Sequence, residues 1–324
     1  MVKRVSWKKG MRLTEDLLRA SDNCNFELAI CAMSLASASR FGLFPQARSF
    51  EVSLNVANGI VDVESLNCLA ITKGGHLIDI QYDTRYTNHF ETRAQIPESR
   101  VGDELILTVN AVDSQWRDIN DGYESPVYNF ALISANTPIP DNAMPIARIV
   151  NEYGWRNDDL DFVPPCLFVT SHKKYQELLT EFVGLLSAIN TKAEALLHSD
   201  ARVAIHILWP IIQQLMITID KERDLMTPMS LLADVQKCVS AFICACKIDE
   251  YLELSNADIF NSFVLSPYNY KDAYVKIKEG IGLCYSIKEK IDKIPEIEGP
   301  KPVIREPEPV RETPPAKKKK YIDI

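Results

Sequence analysis

Eight cysteines, five histidines and a few clustered aspartates are the residues from which a nucleophile or metal centre would have to be built. The cysteines are Cys24, Cys31, Cys68, Cys166, Cys238, Cys244, Cys246 and Cys284, and no two form a Cys-x-x-Cys pair. Most lie inside apolar runs, where a thiol packs as a small hydrophobe. Cys244 and Cys246 are two apart on helical sequence, a spacing that sends their thiols to different faces and suits no metal. His198 and His206 are eight apart, about two helical turns, too far for joint ligation and fitting a polar rim. Asp158, Asp159 and Asp161 lack the further ligands of an EF-hand loop and read as a solvated loop. His76 and Asp79 fall on opposite faces of a strand, and Asp83 lies beyond them. Phosphate-binding glycine loops, His-Glu-x-x-His and Gly-x-Ser-x-Gly are absent from the sequence. The residues therefore predict no catalytic group, no metal and no cofactor. An enzyme of unknown class stays as an alternative.

Bulk properties narrow the classes further. Hydrophobic residues make up 46% and charged residues 25%, as in soluble globular proteins. The formal net charge of −8 gives no electrostatic reason to expect nucleic acid as a partner. Basic residues near the N-terminus precede no apolar core, so no signal peptide is expected. Residues 28–39 read as the longest low-charge stretch and are too short to span a bilayer. A cytosolic protein with reduced thiols is the expectation.

Three kinds of sequence follow one another along the chain. Residues 1–13 read as a short strand, and Thr14 as the N-cap of a helical segment that runs to about Ser39 and stops at "FGLFP". Residues 49–135 alternate polar and apolar side chains. Phe50, Val52, Leu54 and Val56 lead into Asn58-Gly59, a hairpin signal because both turn positions need positive φ. Gly74-Gly75 marks a second hairpin, and "DELILTVNAV" and "SPVYNFALISA" supply two more strands. Residues 136–165 hold five prolines and read as strands and crossing loops at the edge of the sheet structure.

Residues 172–292 carry helical periodicity. Tyr175, Leu179, Phe182, Leu186, Ile189, Ala193 and Leu196 are spaced four and three apart in alternation, an a/d seam. Ala201, Ala204, Leu208, Ile211 and Leu215 form a second stripe, with a kink or restart expected at Pro210. Leu232, Val235, Val239, Phe242 and Cys246 form a third, opened by Thr227 as N-cap and Pro228 at the first helical position. Tyr274, Ile277, Ile281 and Cys284 mark a fourth. The first seam suits either the core of one bundle or a contact between subunits. Residues 295–324 hold seven of the 18 prolines and balance seven basic against six acidic side chains, the composition of a disordered tail.

The expected fold class is thus α+β. An N-terminal antiparallel β-sandwich (residues 1–165, with the N-terminal helical segment) is followed by a helical neck bundle (166–294) and a Pro/Lys-rich tail (295–324). Between the first two lies "DFVPPCLFV", where Pro164-Pro165 fixes two successive φ angles and disfavours helix before them.

This joint resembles that of the type VI secretion baseplate subunit TssK. Phe162, Val163, Pro164, Pro165 and Cys166 match the family's run position by position. "VSWKKGMRL" is similar to the family's opening strand through Trp7, Gly10, Met11 and Leu13. "MPIARIV" resembles its strand before the joint, and "ILWPIIQQL" with "TPMSLLADVQKCVSAF" its paired neck helices. The resemblance covers about residues 1–290. Two departures stand out. "LTEDLL" replaces the family's pro-gln-his-phe segment, so residues 14–18 inherit no role. The proline-rich tail follows the bundle where the family has a head domain, as would suit a divergent, short version of the Bacteroidetes kind.

The resemblance implies a non-catalytic structural adaptor of a contractile injection baseplate, with a phage-tail-like receptor-binding protein as alternative. It implies a β shell that binds TssF- and TssG-like wedge proteins and a neck that forms a homotrimer. The location would be cytoplasmic, at the inner face of the inner membrane when assembled. It also moves Leu179, Phe182, Leu186 and Ile189 toward an intersubunit seam. Lys317, Lys318, Lys319 and Lys320, followed by Tyr321 and Ile322, are a candidate docking motif toward the cell-envelope complex.

Overall fold

The computed structural model describes residues 8–22, 24–25, 41–45, 49–83, 92–97, 102–120, 123–158, 160–197, 203–248 and 257–294. Trp7, His198, Asp159 and the tail residues Lys317–Lys320, Tyr321 and Ile322 lie outside them.

Two antiparallel sheets come first. In one, β3 (Ile60–Ile71) pairs with β1 (Gly42–Leu43), β2 (Glu51–Ala57), β4 (Leu77–Asp83) and β5 (Arg93–Gln95). The other has the order β7-β6-β8-β9, with β6 at Glu104–Asn120, β7 at Tyr123–Ser134, β8 at Ala143–Asn151 and β9 at Trp155–Asn157. The β2–β3 hairpin turns at Asn58 and Gly59, both at positive φ (52° and 72°), as the residue pair predicts. A bulge at Glu64 shifts the inward phase of β3, so Val61 and Val63 are followed inward by Leu66, Cys68 and Ala70. Across the gap Leu105, Leu107, Val109 and Phe130 join the same buried cluster. The Tyr128 hydroxyl ties the two sheets: it accepts from the Asp79 amide at 3.2 Å and donates to the Leu77 carbonyl at 3.4 Å.

Strand β8 departs from the expectation of an edge. It lies between β6 and β9 and is buried on both faces. Met144, Ile146 and Ile149 enter the main core, while Ala143 packs with Ile106, Ile139 and Phe162 on the opposite side. Pro145 is tolerated in this interior strand because a register shift falls beside it, between Leu107 and Thr108 of β6.

The helical half contains α1 (Lys173–Leu196), α2 (Val203–Glu222), α3 (Pro228–Cys246), α4 (Ala257–Val264) and α5 (Ala273–Asp292). His172 caps α1, its Nδ1 accepting from the Lys174 amide at 3.2 Å. Thr227 and Ser230 form a reciprocal capping box at the start of α3. Gly280 of α5 lies where a Cβ would come within 2.2 Å of the Phe263 ring, so α4 and α5 meet through a bare backbone.

Several expectations need correction. Residues 8–14 form no strand: a turn at Gly10 (φ 83°) is followed by chain without regular structure in which Met11 and Leu13 are exposed. Thr14 does cap a helical stretch, accepting from the Leu17 amide at 3.4 Å. Helix α2 continues through Pro210 as one helix, and its fully buried stripe is Ile205, Leu208, Ile212, Leu215 and Ile219, with Ile211 only half-buried. Residues 203–219 also carry no charged side chain, a longer such stretch than 28–39. Helices α2 and α3 are long and apolar enough to cross a membrane by length and composition, yet each buries one face in the bundle.

The largest correction concerns the seam. Leu179, Phe182, Leu186 and Ile189 are each at most 3% exposed within a single chain. They face the chain's own helices together with Leu208, Val239, Ile277 and Ile281. A side chain already removed from water by its own bundle has no surface left for a second subunit. Each such Leu, Ile or Phe is worth about 1.5–3 kcal/mol of burial to the folded chain.

Candidate functional site

The joint is built from residues on both sides of it. Strand β1 lies against it: Leu43 forms a parallel bridge with Cys166. The Leu43 amide donates to the Pro165 carbonyl at 2.8 Å, and the Leu167 amide donates to the Leu43 carbonyl at 3.1 Å. Pro165 has no N–H, so pairing from this stretch must use its carbonyl and the amides that follow. Gly42 makes the approach possible. Its φ is 139°, and a Cβ there would sit 2.6 Å from the Pro165 oxygen. The sequence reading took "FGLFP" as a helix stop and missed this role. A glycine set among the large apolar residues Phe41, Leu43 and Phe44 was the available signal.

Phe162 and Val163 are buried on different sides of the joint, Phe162 under β8 and Val163 in the main core. Cys166 is buried beside them, and its Sγ lies 3.2 Å from the Pro164 carbonyl. Burial pushes its thiol well above the ordinary range, with Cys68 adding to the effect. Cys68 is pushed up to about 12, first by burial and then by Asp79. Both therefore stay protonated at neutral pH and pack as apolar groups rather than as nucleophiles.

Beyond the joint, the short 3-10 turn Val169–Ser171 leads into α1. The Val169 amide donates to the Met226 carbonyl at 2.7 Å, and Gln176 Nε2 donates to the Thr170 carbonyl at 2.7 Å. Lys174 Nζ reaches back to the carbonyls of Leu160 (3.1 Å) and Phe162 (3.4 Å). The His172 ring packs against Phe50 of the first sheet region, with centroids 5.9 Å apart. Burial, then the Lys174 charge, lowers its pKa to about 4, so it caps the helix as a neutral ring.

Further ties join the β-rich half and the joint to the last helix and the turn before it. Lys73 lies 5.1 Å from the ring centroids of both Phe41 and Tyr270, which meet edge to face. Lys271 Nζ donates to the carbonyls of Ala135 and Thr137. Lys278 pairs with Asp161 at 3.4 Å. One hydrophobic cluster accordingly runs from β3 through Val163, Cys166 and Tyr175 into all five helices.

The groups singled out for chemistry do not converge. Asp158 is buried and bonded to Arg148 (2.5 and 2.7 Å), correcting its reading as a solvated loop residue, whereas Asp161 is only half-buried and faces Lys278. His206 is exposed on α2. Cys244 is exposed and Cys246 half-buried, on different faces as expected. Cys238 and Cys284 are buried together between α3 and α5, with hydrogen bonding to Cys238 and burial both raising Cys284. Among the described residues no group of three or more His, Cys, Asp or Glu side chains could hold a metal ion.

No family model matches the sequence, and no curated protein matches it either. Solved structures do match. A chain of the type VI secretion TssK–TssF–TssG baseplate subcomplex, determined by cryo-electron microscopy, superposes with a TM-score of 0.59 at 15% identity, over 89% of this chain and 100% of that one. A crystal structure of TssK matches with a TM-score of 0.59 at 12% identity, over 91% of this chain and 71% of that one. A chain of the type VI secretion baseplate complex matches with a TM-score of 0.54 at 16% identity, over 86% and 69%. The chain has the fold of TssK.

Proposed function

We propose that this chain, which has the TssK fold, is a non-catalytic structural adaptor of a type VI secretion baseplate. One observation carries the reading. The likeness takes in 89% of this chain and 100% of the matched one in a single superposition, too much to rest on the sheets or the bundle alone. The ties across the joint support a part that holds one geometry. Leu43–Leu167, Lys174–Phe162, Lys271–Ala135 and Lys73–Tyr270 each fasten a residue of the β-rich half or the joint to the helical half.

In this reading the β-rich part (1–165) is a sandwich shell that binds TssF- and TssG-like wedge proteins. The bundle (166–294) is a neck that forms a homotrimer, and the assembly sits at the cytoplasmic face of the inner membrane. With the α1 seam buried, the trimer contact falls to another face. The outer stripe of α2 suits it: Val203, Ile207, Pro210, Gln214 and Ile217 recur four and three apart, without a charge. Val203 and Ile217 are 58% and 44% exposed. An uncharged stripe repeating this way is the pattern helices bury against one another.

Light scattering of the purified full chain tests the trimer, with a mass near three times 36.6 kDa expected. Co-purification of TssF- and TssG-like proteins with the full chain tests the wedge contact. A monomer that captures no wedge protein would overturn the proposal.

A further inference from the structure

Two uncovered surfaces of this chain suit each other. The first is the short helix of residues 15–22, capped by Thr14. Thr14, Leu17, Leu18 and Ser21 stand at positions i, i+3, i+4 and i+7 and share one side of it. Glu15 and Asp22 border that side, and Asp16 and Arg19 lie opposite. Leu17 is half-buried, Leu18 is 50% exposed, and Leu13 just before the helix is 67% exposed. Among the described residues from 8 to 22, no side chain enters either hydrophobic cluster. A helix this short draws its stability from burying an apolar side, and within one chain that side stays in water.

The second surface is a groove on the outside of the bundle, between α1 and α5. It encloses about 670 Å³ and is lined by Glu177, Glu181, Gly184, Leu185 and Tyr285, among others. It continues into a smaller hollow that reaches Tyr274 and Lys278 over Leu178 and Ile281. A Cβ at Gly184 or Gly282 would meet nothing within 4 Å, so packing inside the chain requires neither glycine. Bare backbone at a groove lets another element approach closely.

Size and charge select the pairing. Lys174 and Ala188 mark its ends on α1, fourteen residues and about 21 Å apart, while residues 14–22 span about 12 Å. The groove is lined by Lys173, Lys174, Lys278 and Lys288 against Glu177 and Glu181. Lys278 and Lys288 are shared with Asp161 and Asp292 beside it, whereas Lys174 is held by the Leu160 and Phe162 carbonyls, which do not cancel its charge. The helix carries three acids against Arg19. The α2 stripe offers apolar cover too, but residues 203–219 hold no lysine or arginine to meet those acids.

We propose that residues 13–22 of one chain dock in the α1–α5 groove of a second copy. Leu17 and Leu18 cover Leu178 and Ile281 beside Gly282, and Glu15 and Asp22 meet the lysines of the groove. Each copy then buries the leucines of another. The exchange rests on the oligomer proposed above. Helix α2 packs against α1 and α3, so a subunit contact along its outer stripe leaves the α1–α5 side open.

Photo-crosslinking in the full chain tests it, with benzoylphenylalanine in place of Leu18 and an equal mixture of heavy-isotope-labelled and unlabelled chains. Cross-links from residue 18 should reach residues 173–188 or 274–288 and join labelled to unlabelled peptides. Gly184→Trp or Gly282→Trp, each at a position with room for a side chain, should lower their yield about fivefold or more. Leu17→Asp, on the arm rather than in the bundle, should do the same. Cross-links to the groove within one chain would overturn the proposal, as would a yield unchanged in all three variants. Light scattering on the same samples separates this from the oligomer reading. A trimer without groove cross-links would overturn the exchange alone, and a monomer would overturn both.

Discussion

Gly42 and Pro165 approach each other so closely that a single methyl group on residue 42 would sit 2.6 Å from the Pro165 carbonyl oxygen. Strand β1 and the joint are in contact only because residue 42 has no side chain and can hold φ at 139°.

Gly42→Ala should therefore loosen the joint. Backbone strain and overpacking each cost about 1–3 kcal/mol, so a loss of about 2–4 kcal/mol is expected in urea unfolding. Gly59→Ala serves as the comparison, because a Cβ at that hairpin position meets nothing and only its φ is strained. Equal losses in the two would contradict a special role for the approach to Pro165.

Leu179→Asp and Leu186→Asp should unfold the bundle rather than release folded monomers, because they place an unpaired charge in the intramolecular core. Ile217→Asp lies on the exposed α2 stripe and should leave the circular dichroism spectrum intact while lowering the solution mass. A well-folded monomer from Leu186→Asp would restore the α1 seam as a subunit contact.

His172 makes stability depend on pH. Its folded pKa of about 4 lies below the ordinary 6.5, so between those values the unfolded chain binds more protons. Stability should rise with pH across that window, be complete above about 6.5 and be lost as pH falls toward 4. The contribution is on the order of 2–3 kcal/mol. His172→Asn keeps a capping side chain, so the difference between the two stability–pH curves isolates the ring. Parallel curves from pH 4 to 6.5 would argue against a neutral buried His172.

Arg148 and Asp158 form a largely buried pair linking β8 to the chain just past β9. Arg148→Ala should cost about 3–5 kcal/mol by stranding the carboxylate. Arg148→Met with Asp158→Asn should recover much of that loss in the same chemical denaturation. No recovery would mean that Arg148 acts through packing rather than charge.

Much of the architecture was legible because it rests on local rules. Asn58-Gly59 needs positive φ wherever it occurs, Thr227-Pro228 starts a helix by its own hydrogen bonds, and the spacing from Tyr175 to Leu196 repeats whether or not a partner exists. The shift inside β3 was not legible, since one extra residue at Glu64 is invisible to strict alternation. Neither was the interior position of β8, which follows from the pairing order of strands distant in sequence.

The sequence by itself determined the main hairpins and four long helices, the proline joint and the order of sheet before bundle, because these follow from backbone preference and periodicity. Tertiary structure alone decided what each apolar stripe faces. Periodicity marks a side of a helix as apolar but not what covers it. Folding turned the α1 seam inward, left the α2 stripe outside, and set Gly42 against a proline more than a hundred residues away.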